Sequence, residues 1–460
     1  MKSIKLKAIL AKTGGRIVQG DTDITITRVV KSAKKLSSNT LLFHLTGKTV
    51  SCPPERLKEL KHCAVITKTP RRLSSLGKKI TVIEVNDVTK AYWAFVTYYR
   101  SLFNCPVIGI TGTCGKSTTK DMVKHILQSK YHVLATKRSR NDLNYNLGYL
   151  TEMDESTEVA VIEMGVAWPG DLLNYAKYFK TKVGVITKIG IDHLLGCKSE
   201  EGYLKAKAQM LKCLSYTGML ILNADDENIR KIDLSPFKGK IIYFGVGRKA
   251  EFRASGIRYY RNGMKYTLHY KGRAYRCFIP GLGEHNVYNA LAAIAAVHAI
   301  GFNVHTAAKL LRTFKHLESH LQIRQGIKNC MVIDDTWSTN PTSLEAALAV
   351  LKTVGRNRKN IVVLGYIDEL GEHSAFYHSL VGEKIANMGI DLLITLGKEA
   401  EVIAKRAIEK GMSPNKVYCC KNSDEVFNVV APILNNKSVL LVKKSMHVSF
   451  KDLMRKFIIT

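Results

Sequence analysis

The chain has 460 residues, 46% apolar and 23% charged, an ordinary globular composition that excludes wholesale disorder. Its formal charge of +32 implies anionic company (nucleotides, acidic substrates, nucleic acid or a membrane surface), and residues 1–104 alone carry 20 Lys/Arg against 6 Asp/Glu. Lysines at 2, 5 and 7 leave no room for a signal-peptide core, Ala290–Val297 is far shorter than the roughly 20 residues of a membrane span, and ten cysteines fall at no metal-ligand spacing, so a reduced, cytoplasmic protein with no membrane span is expected.

Residues 1–104 read as an α/β unit of weak periodicity. Beyond them short β-branched runs alternate with helical patterns. Strands are expected at Val107–Ile110, Val159–Ile162, Val183–Thr187 and Met219–Leu222, with helices at Lys116–Gln128 and Gly202–Leu214. This alternation predicts a parallel sheet flanked by helices. Between 241 and 280, Ile257–Tyr260, Tyr266–Tyr270 and Tyr275–Ile279 are separated by Asn262-Gly263 and Lys271-Gly272, which predicts an antiparallel meander. A helix follows from Val287 to about Gly301, then a polar linker, Lys315–His320. Met331–Ile333, Ile361–Leu364, Leu392–Thr395 and Val439–Val442 then alternate with helices as a second α/β domain. The expected domains are 1–104, 105–315 and 316–460.

The sharpest local signal is VIGITGTCGKSTTKDMVKHIL, Val107 to Leu127. A buried strand enters a Gly-rich turn, and a helix opens with Lys116, Ser117 and Thr118. Backbone amides from Gly112, Thr113 and Gly115 to Lys116, with the helix N-terminus, can cradle triphosphate oxygens. Lys116 supplies a point charge near the β/γ-phosphates, and the Ser117 hydroxyl can ligate Mg²⁺. The general G-x-x-x-x-G-K-[ST] spacing is not met; the shorter G-T-x-G-K-S form is. Cys114 within the loop is a space-filler or a redox-sensitive thiol.

Eight blocks in order extend this signal. They are TGTCGKST at 111–118, VIEMGVAWPGD at 161–171, VGVITKIGIDHL at 183–194, EGYLKAKAQML at 201–211, GEHNVYNALAA at 283–293, VIDDTWSTNPTSLEAAL at 332–348, VVLGYIDELGEHS at 362–374 and VLLVKKSM at 439–446. With them the chain resembles the Mur ligases, and among them the branch that adds D-alanyl-D-alanine to the UDP-N-acetylmuramoyl tripeptide. The resemblance implies an α/β, three-domain architecture: an N-terminal substrate-binding-like domain, a central P-loop parallel-sheet ATPase domain and a C-terminal Rossmann-like α/β domain for the amino acid. It implies an ATP- and Mg²⁺-dependent ligase of peptidoglycan synthesis. Such a ligase makes an amide from an anionic carboxylate acceptor and an amino acid or dipeptide, through an acyl phosphate. Several anions then meet in one site, so Mg²⁺, Lys116 and oriented dipoles must carry their charge.

By resemblance Glu163, Ser117 and His193 bind Mg²⁺, and Lys207 is the lysine that is carbamylated and joins the metal–substrate site. Lys116, His193 and Lys207 form the catalytic set. Asn286 and Asn289, three apart on one helix face, match adenine-binding positions, and Asp335 matches an aspartate that meets the nucleotide. Asn144, Asn340, Lys443 and Ser445 match substrate-side positions. Taken singly, each has a plainer reading: Glu163 a cap or surface ion pair, His193 a satisfied loop histidine, Lys207 an exposed helical lysine and Asn286 a helix N-cap.

The chain departs from the family pattern at several points. His320 stands where an arginine is expected, with Arg324 nearby. Trp337 and Ser338 replace Tyr and Asn, Lys188 replaces Asn, Gln209 replaces Glu, and Lys444 replaces Gly. Lys31-Ser32-Ala33 occupies the place of the Asp-Ser-Arg uridine signature, and a later D-G-H-x-F block is absent, with Ser51-Cys52-Pro53-Pro54 nearby. Two readings follow: an active ligase, or a relic that binds nucleotide or a polyanion without turnover. No basic-aromatic stripe marks a specific nucleic-acid site, and a monomer is expected.

Overall fold

The computed structural model describes residues 1–45, 60–76, 79–445 and 450–459, without the side chains of 74–76, 144, 145 and 451. Ser51–Pro54 and Met446 lie outside the described residues. The chain divides into two compact units. One comprises Met1–Val107, Tyr131–Ala160 and Asn174–Lys180; the other comprises Ile108–Lys130, Val161–Leu173 and Thr181–Thr460.

The first unit is built on a sheet ordered Arg16–Gln19, Thr81–Glu84, Ala64–Thr67, Thr40–Phe43 and Arg28–Val30, parallel except at its Arg16–Gln19 edge. Asp87 caps the helix Val88–Ser101 by accepting from Lys90 N at 3.0 Å. That helix lays Tyr92 and Phe95 on Phe43, at ring centroid distances of 5.2 and 5.6 Å. Arg100 is buried because its guanidinium finds three carbonyls, those of Phe179, Phe103 and Cys105, at 3.0, 2.6 and 3.2 Å.

The central sheet carries the strands Val159–Glu163, Val107–Thr111, Thr181–Ile186, Leu214–Asn223 and Lys240–Gly245, followed by the expected meander, Phe252–Tyr260, Gly263–Tyr270 and Arg273–Pro280. The helix expected at Gly202–Leu214 differs. It runs Glu200–Ala208, resumes over Met210–Cys213, and Leu214 already belongs to the next strand. The later long helix is Glu284–Ala299, opening after Gly283 at φ +102°. Asn286 therefore lies in its first turn and is not its N-cap.

The C-terminal sheet is ordered Gln322–Gln325, Met331–Asp335, Ser438–Lys443, Lys359–Gly365, Leu392–Leu396 and Val417–Cys420, and only the Gln322–Gln325 pairing is antiparallel. Successive residues feed opposite cores: Val362 and Leu364 pack with Ile333 and Leu441, while Ile361 and Val363 pack with Val332 and Leu440. Burial on both faces explains why these strands read as continuous apolar runs. Lys315–His320 is irregular. Among the described residues no helix is long and apolar enough to cross a membrane, and nine cysteines are free.

Candidate active site

The strand Val107–Thr111 delivers the chain to the loop 112–115, and the helix Lys116–Leu127 leaves it. Two loop positions demand glycine. Gly112 has φ +144°, and a Cβ there would lie 2.1 Å from Thr187 Oγ1; Gly115 has φ +82°, and a Cβ would lie 2.2 Å from Asn289 Oδ1. Thr113 N donates to Lys188 O at 2.6 Å, and Thr113 Oγ1 accepts from Gly190 N at 2.9 Å. Thr187 Oγ1 donates to Cys114 O at 2.6 Å. The loop is thus fastened to the end of the neighbouring strand. Lys116 Nζ donates to Thr113 O at 2.9 Å, Ser117 is half-buried, and Thr118 is buried. Cys114 proves to be a packed neutral thiol: burial pushes it up to about 11, and its Sγ reaches Asn340 Oδ1 at 3.4 Å.

Glu163 ends its strand fully buried. Lys207 is fully buried as well, which rules out an exposed helical lysine. Its Nζ lies 3.4 Å from Thr111 Oγ1 and 5.0 Å from the Tyr203 ring centroid. Burial first, and then the Lys116 charge, hold its amine well below the ordinary lysine range, against opposing pulls from Asp192, Cys197 and Glu163. Gln209, two residues on, accepts from Gly170 N at 3.1 Å and so ties the loop after Glu163 to this helix.

His193 follows the neighbouring strand in a left-handed conformation, φ +50°. Its Nε2 is 3.7 Å from Asp192 Oδ2, and its Nδ1 meets the Glu369 carboxylate. Asp192, His193 and Glu369 offer ligand atoms within 4.8 Å of one another. Asp192 also accepts from Asn340 Nδ2 at 3.1 Å. Asn340 caps the helix Pro341–Val354 with a full capping box, so one residue links the phosphate loop, Asp192 and a C-terminal helix.

Asp335 and Lys443 are paired across parallel strands: Lys443 Nζ donates to Asp335 Oδ2 at 2.6 Å and to Ser338 O at 2.9 Å, and both residues are buried. Ser445 Oγ reaches Asp368 Oδ2 at 3.5 Å. His320 stacks on Trp337 at 5.5 Å with 22° between planes, and its Nδ1 meets Glu318 O at 2.7 Å. Burial lowers its pKa, so it is no standing cation in place of an arginine, although it stands within electrostatic reach of Asp335, Lys443 and Glu163. Arg324 is not a replacement either; its Nε faces Asp334 at 3.7 Å.

Asn289 sits under Gly115, and Asn286 donates to Leu282 O at 2.9 Å while its Oδ1 meets His316 Nε2 at 3.1 Å. Asn144 lies in the helix Leu143–Glu152, and its side chain is outside the described residues. Sequence reasoning missed Asp192, Glu369 and His285. The last is a half-buried imidazole whose pKa burial, and then His316, lower to about 4. Only the Asp192-His193 adjacency and the acidic run after Tyr366 hinted at the first two.

Comparison with known proteins places this geometry in context. Residues 110–297 match the Mur ligase middle domain, and residues 321–445 match the Mur ligase glutamate ligase domain. The UDP-N-acetylmuramoyl-tripeptide–D-alanyl-D-alanine ligase of Bacillus subtilis is 29% identical over 380 residues, covering 82% of this chain and 81% of that protein. Among solved structures, MurF from Acinetobacter baumannii superposes with a TM-score of 0.85 at 23% identity, covering 99% of this chain and 98% of that one. MurF from Thermotoga maritima in complex with ADP gives 0.77 at 19%, covering 93% and 96%. The α/β fold is the one these structures share.

Proposed function

Because this chain belongs to the Mur ligase family, we propose that it is the ATP-dependent ligase that joins D-alanyl-D-alanine to a UDP-N-acetylmuramoyl-tripeptide in peptidoglycan synthesis. The observation that carries the reading is the meeting of the phosphate loop with Glu163, the Asp192-His193 pair and a fully buried Lys207 at the ends of adjacent strands. As part of this reading we assign three domains, 1–104, 105–315 and 316–460, to a cytoplasmic monomer.

In this mechanism the loop amides at 112–116 and Lys116 bind the triphosphate and hold its γ-phosphoryl against the acceptor carboxylate. Transfer breaks the bond to the β-phosphate oxygen, forms an acyl phosphate and leaves ADP. The dipeptide amine attacks the acyl carbon, loses a proton, and inorganic phosphate departs as the amide forms. Lys116 and the amide dipoles stabilise negative charge at both steps without reorganising. The buried carboxylate of Glu163 and the half-buried hydroxyl of Ser117 are oxygen donors that suit a hard divalent cation, so they, with the half-buried His193 imidazole, would hold Mg²⁺. Bound there, it would neutralise phosphate charge. A Lys207 amine of lowered pKa offers its neutral form to CO₂; addition releases a proton, and the resulting carbamate would place a negative charge beside the cation. Asn286 and Asn289 are assigned to the adenine side with Asp335 near the nucleotide, and Asn144, Asn340, Lys443 and Ser445 to the acceptor and dipeptide side.

The test is phosphate release from ATP with UDP-N-acetylmuramoyl-tripeptide and D-alanyl-D-alanine, supplied singly and together. Release that requires both substrates, with amide product, is expected. Nucleotide binding without release under any combination would overturn the reading in favour of the relic.

A further inference from the structure

The chain beyond the strand Lys359–Gly365 reaches from the C-terminal sheet onto the segment that carries His193. Four contacts fasten the two. Glu369 meets His193 Nδ1 with its carboxylate, and its carbonyl accepts from Leu195 N at 2.9 Å. His373 Nε2 lies 2.9 Å from Lys198 O, and Tyr377 OH donates to Glu200 Oε1. Gly371 lies close under Leu195: a Cβ there would be 3.1 Å from Leu195 Cα, at φ +57°.

Both partners at the centre of this clasp are strained. His193 has φ +50° and Glu369 has φ +59°, a region that non-glycine residues rarely adopt and that persists only where the surroundings impose it. The strain serves a geometry. The Glu369 carboxylate lies against Nδ1 as an ion-pair contact, and Nε2 is turned toward Asp192, at 3.7 Å. Asp192 is held in turn by Asn340 from the C-terminal domain. A histidine that ligates a metal usually donates its second N–H to a carboxylate, which fixes the tautomer and ring orientation and raises the basicity of the ligating nitrogen.

We propose that Glu369 is the positioning residue for His193. It accepts the Nδ1–H, keeps the Nε2 lone pair available to a divalent cation, and makes that ligand depend on the docking of the C-terminal domain. The middle domain alone therefore carries an incompletely oriented ligand. The inference rests on the reading of His193 as a metal ligand.

Two readouts on the intact protein test it. Mn²⁺ binding is followed by loss of the free-ion electron paramagnetic resonance signal, and the His193 tautomer by ¹⁵N imidazole shifts in the metal-free protein. The His193 signal, one among fourteen histidines, is identified by its absence in His193→Ala. Glu369→Ala should weaken Mn²⁺ binding by about 10- to 100-fold and mix the tautomers. Glu369→Gln, whose amide oxygen can still accept the N–H, should keep the Nδ1–H tautomer and recover part of the affinity. Tyr377→Phe removes one hydroxyl contact to Glu200 away from the ligand and leaves the other contacts that dock the domain, so both readouts should stay unchanged. The proposal is overturned if Glu369→Ala binds Mn²⁺ and holds its tautomer as wild type does, or if Tyr377→Phe causes the same loss. Wild-type Mn²⁺ binding by His193→Ala would instead remove the metal reading beneath it.

Discussion

Lys207 is wholly enclosed beside Thr111 and Tyr203, and burial with the Lys116 charge keeps its amine well below the ordinary lysine value of 10.5. Below pH 10.5 the unfolded chain takes up a proton that the folded amine refuses. The folded state is therefore penalised, stability rises with pH between the folded value and 10.5, and at neutral pH the penalty is in force. Lys207→Met in CO₂-free buffer should remove it. Its melting temperature should rise, by about 2–4 °C for each kcal/mol recovered on the scale of a domain of 150–250 residues, while ligase activity disappears. An unchanged melting temperature with an unchanged pH slope would show that the amine is not penalised. Wild-type activity should also fall when bicarbonate is stripped, and a short carboxylic acid should restore part of the activity of Lys207→Ala; full activity of Lys207→Ala without any additive would end the carbamate proposal. Lys116 is the complementary case, a half-buried cation resting on its own loop carbonyl. Lys116→Ala should fold normally and lose about 10²–10³ in ATP turnover, the scale of removing one preorganised electrostatic donor. Near-normal phosphate release by the folded variant would refute its role.

Beyond residue 104 elements were legible where burial left a pattern, whereas the buried four-residue strands Thr40–Phe43, Ala64–Thr67 and Thr81–Glu84 were too short to be placed. The phosphate loop was readable because strand, glycine turn and helix are contiguous, and the inner strands of the C-terminal sheet because both faces are covered. Gln322–Gln325 and Val417–Cys420 were not, and they are the two edges of that sheet. Gln322–Gln325 alternates and carries no apolar run, and Val417–Cys420, though apolar in composition, is only four residues long with only Cys420 buried. The helix expected to reach Leu214 failed for a related reason: residues 215–217 are exposed although they begin a strand, so periodicity gave no warning. The site was legible residue by residue but not as an assembly, since nothing local joins Glu369 to His193 or Asn340 to Asp192. Asn340 illustrates the difference. As a helix cap alone, Asn340→Ala should cost about 1 kcal/mol, within the 0.5–2 expected of such caps. Because Asn340 Nδ2 also holds Asp192, turnover should fall as well. Asn340→Ser retains an N-cap oxygen but cannot span the same distance, so it should regain stability without regaining turnover. Recovery of both together would reduce Asn340 to a cap.

At the scale of the whole molecule the formal charge of +32 has no counterpart in a dedicated nucleic-acid fold, and the substrates of the proposed reaction are anions. The excess is strong in residues 1–104, where the expected Asp-Ser-Arg is Lys31-Ser32-Ala33. There Lys31 Nζ stands 5.2 Å over the Tyr92 ring, and Ser32 precedes the short turn Ala33–Lys35 without a side-chain capping bond. An acceptor drawn to such a surface is attracted through its phosphates and carboxylates more than through its base. That attraction is screened, since the Debye length falls from about 10 Å at 0.1 M salt to about 3 Å at 1 M. Calorimetric titration with UDP-N-acetylmuramoyl-tripeptide should therefore show affinity falling steeply between these two conditions, and a tripeptide acceptor carrying another nucleoside diphosphate should bind with nearly the same salt slope and a similar constant. ATP, cradled by backbone amides and Lys116 in the loop 112–116, should lose much less over the same range, so the two titrations form an internal comparison. Tight, salt-insensitive acceptor binding that requires the uracil ring would refute charge-led recognition, and would mean that the uridine is gripped by residues with no counterpart in the missing signature.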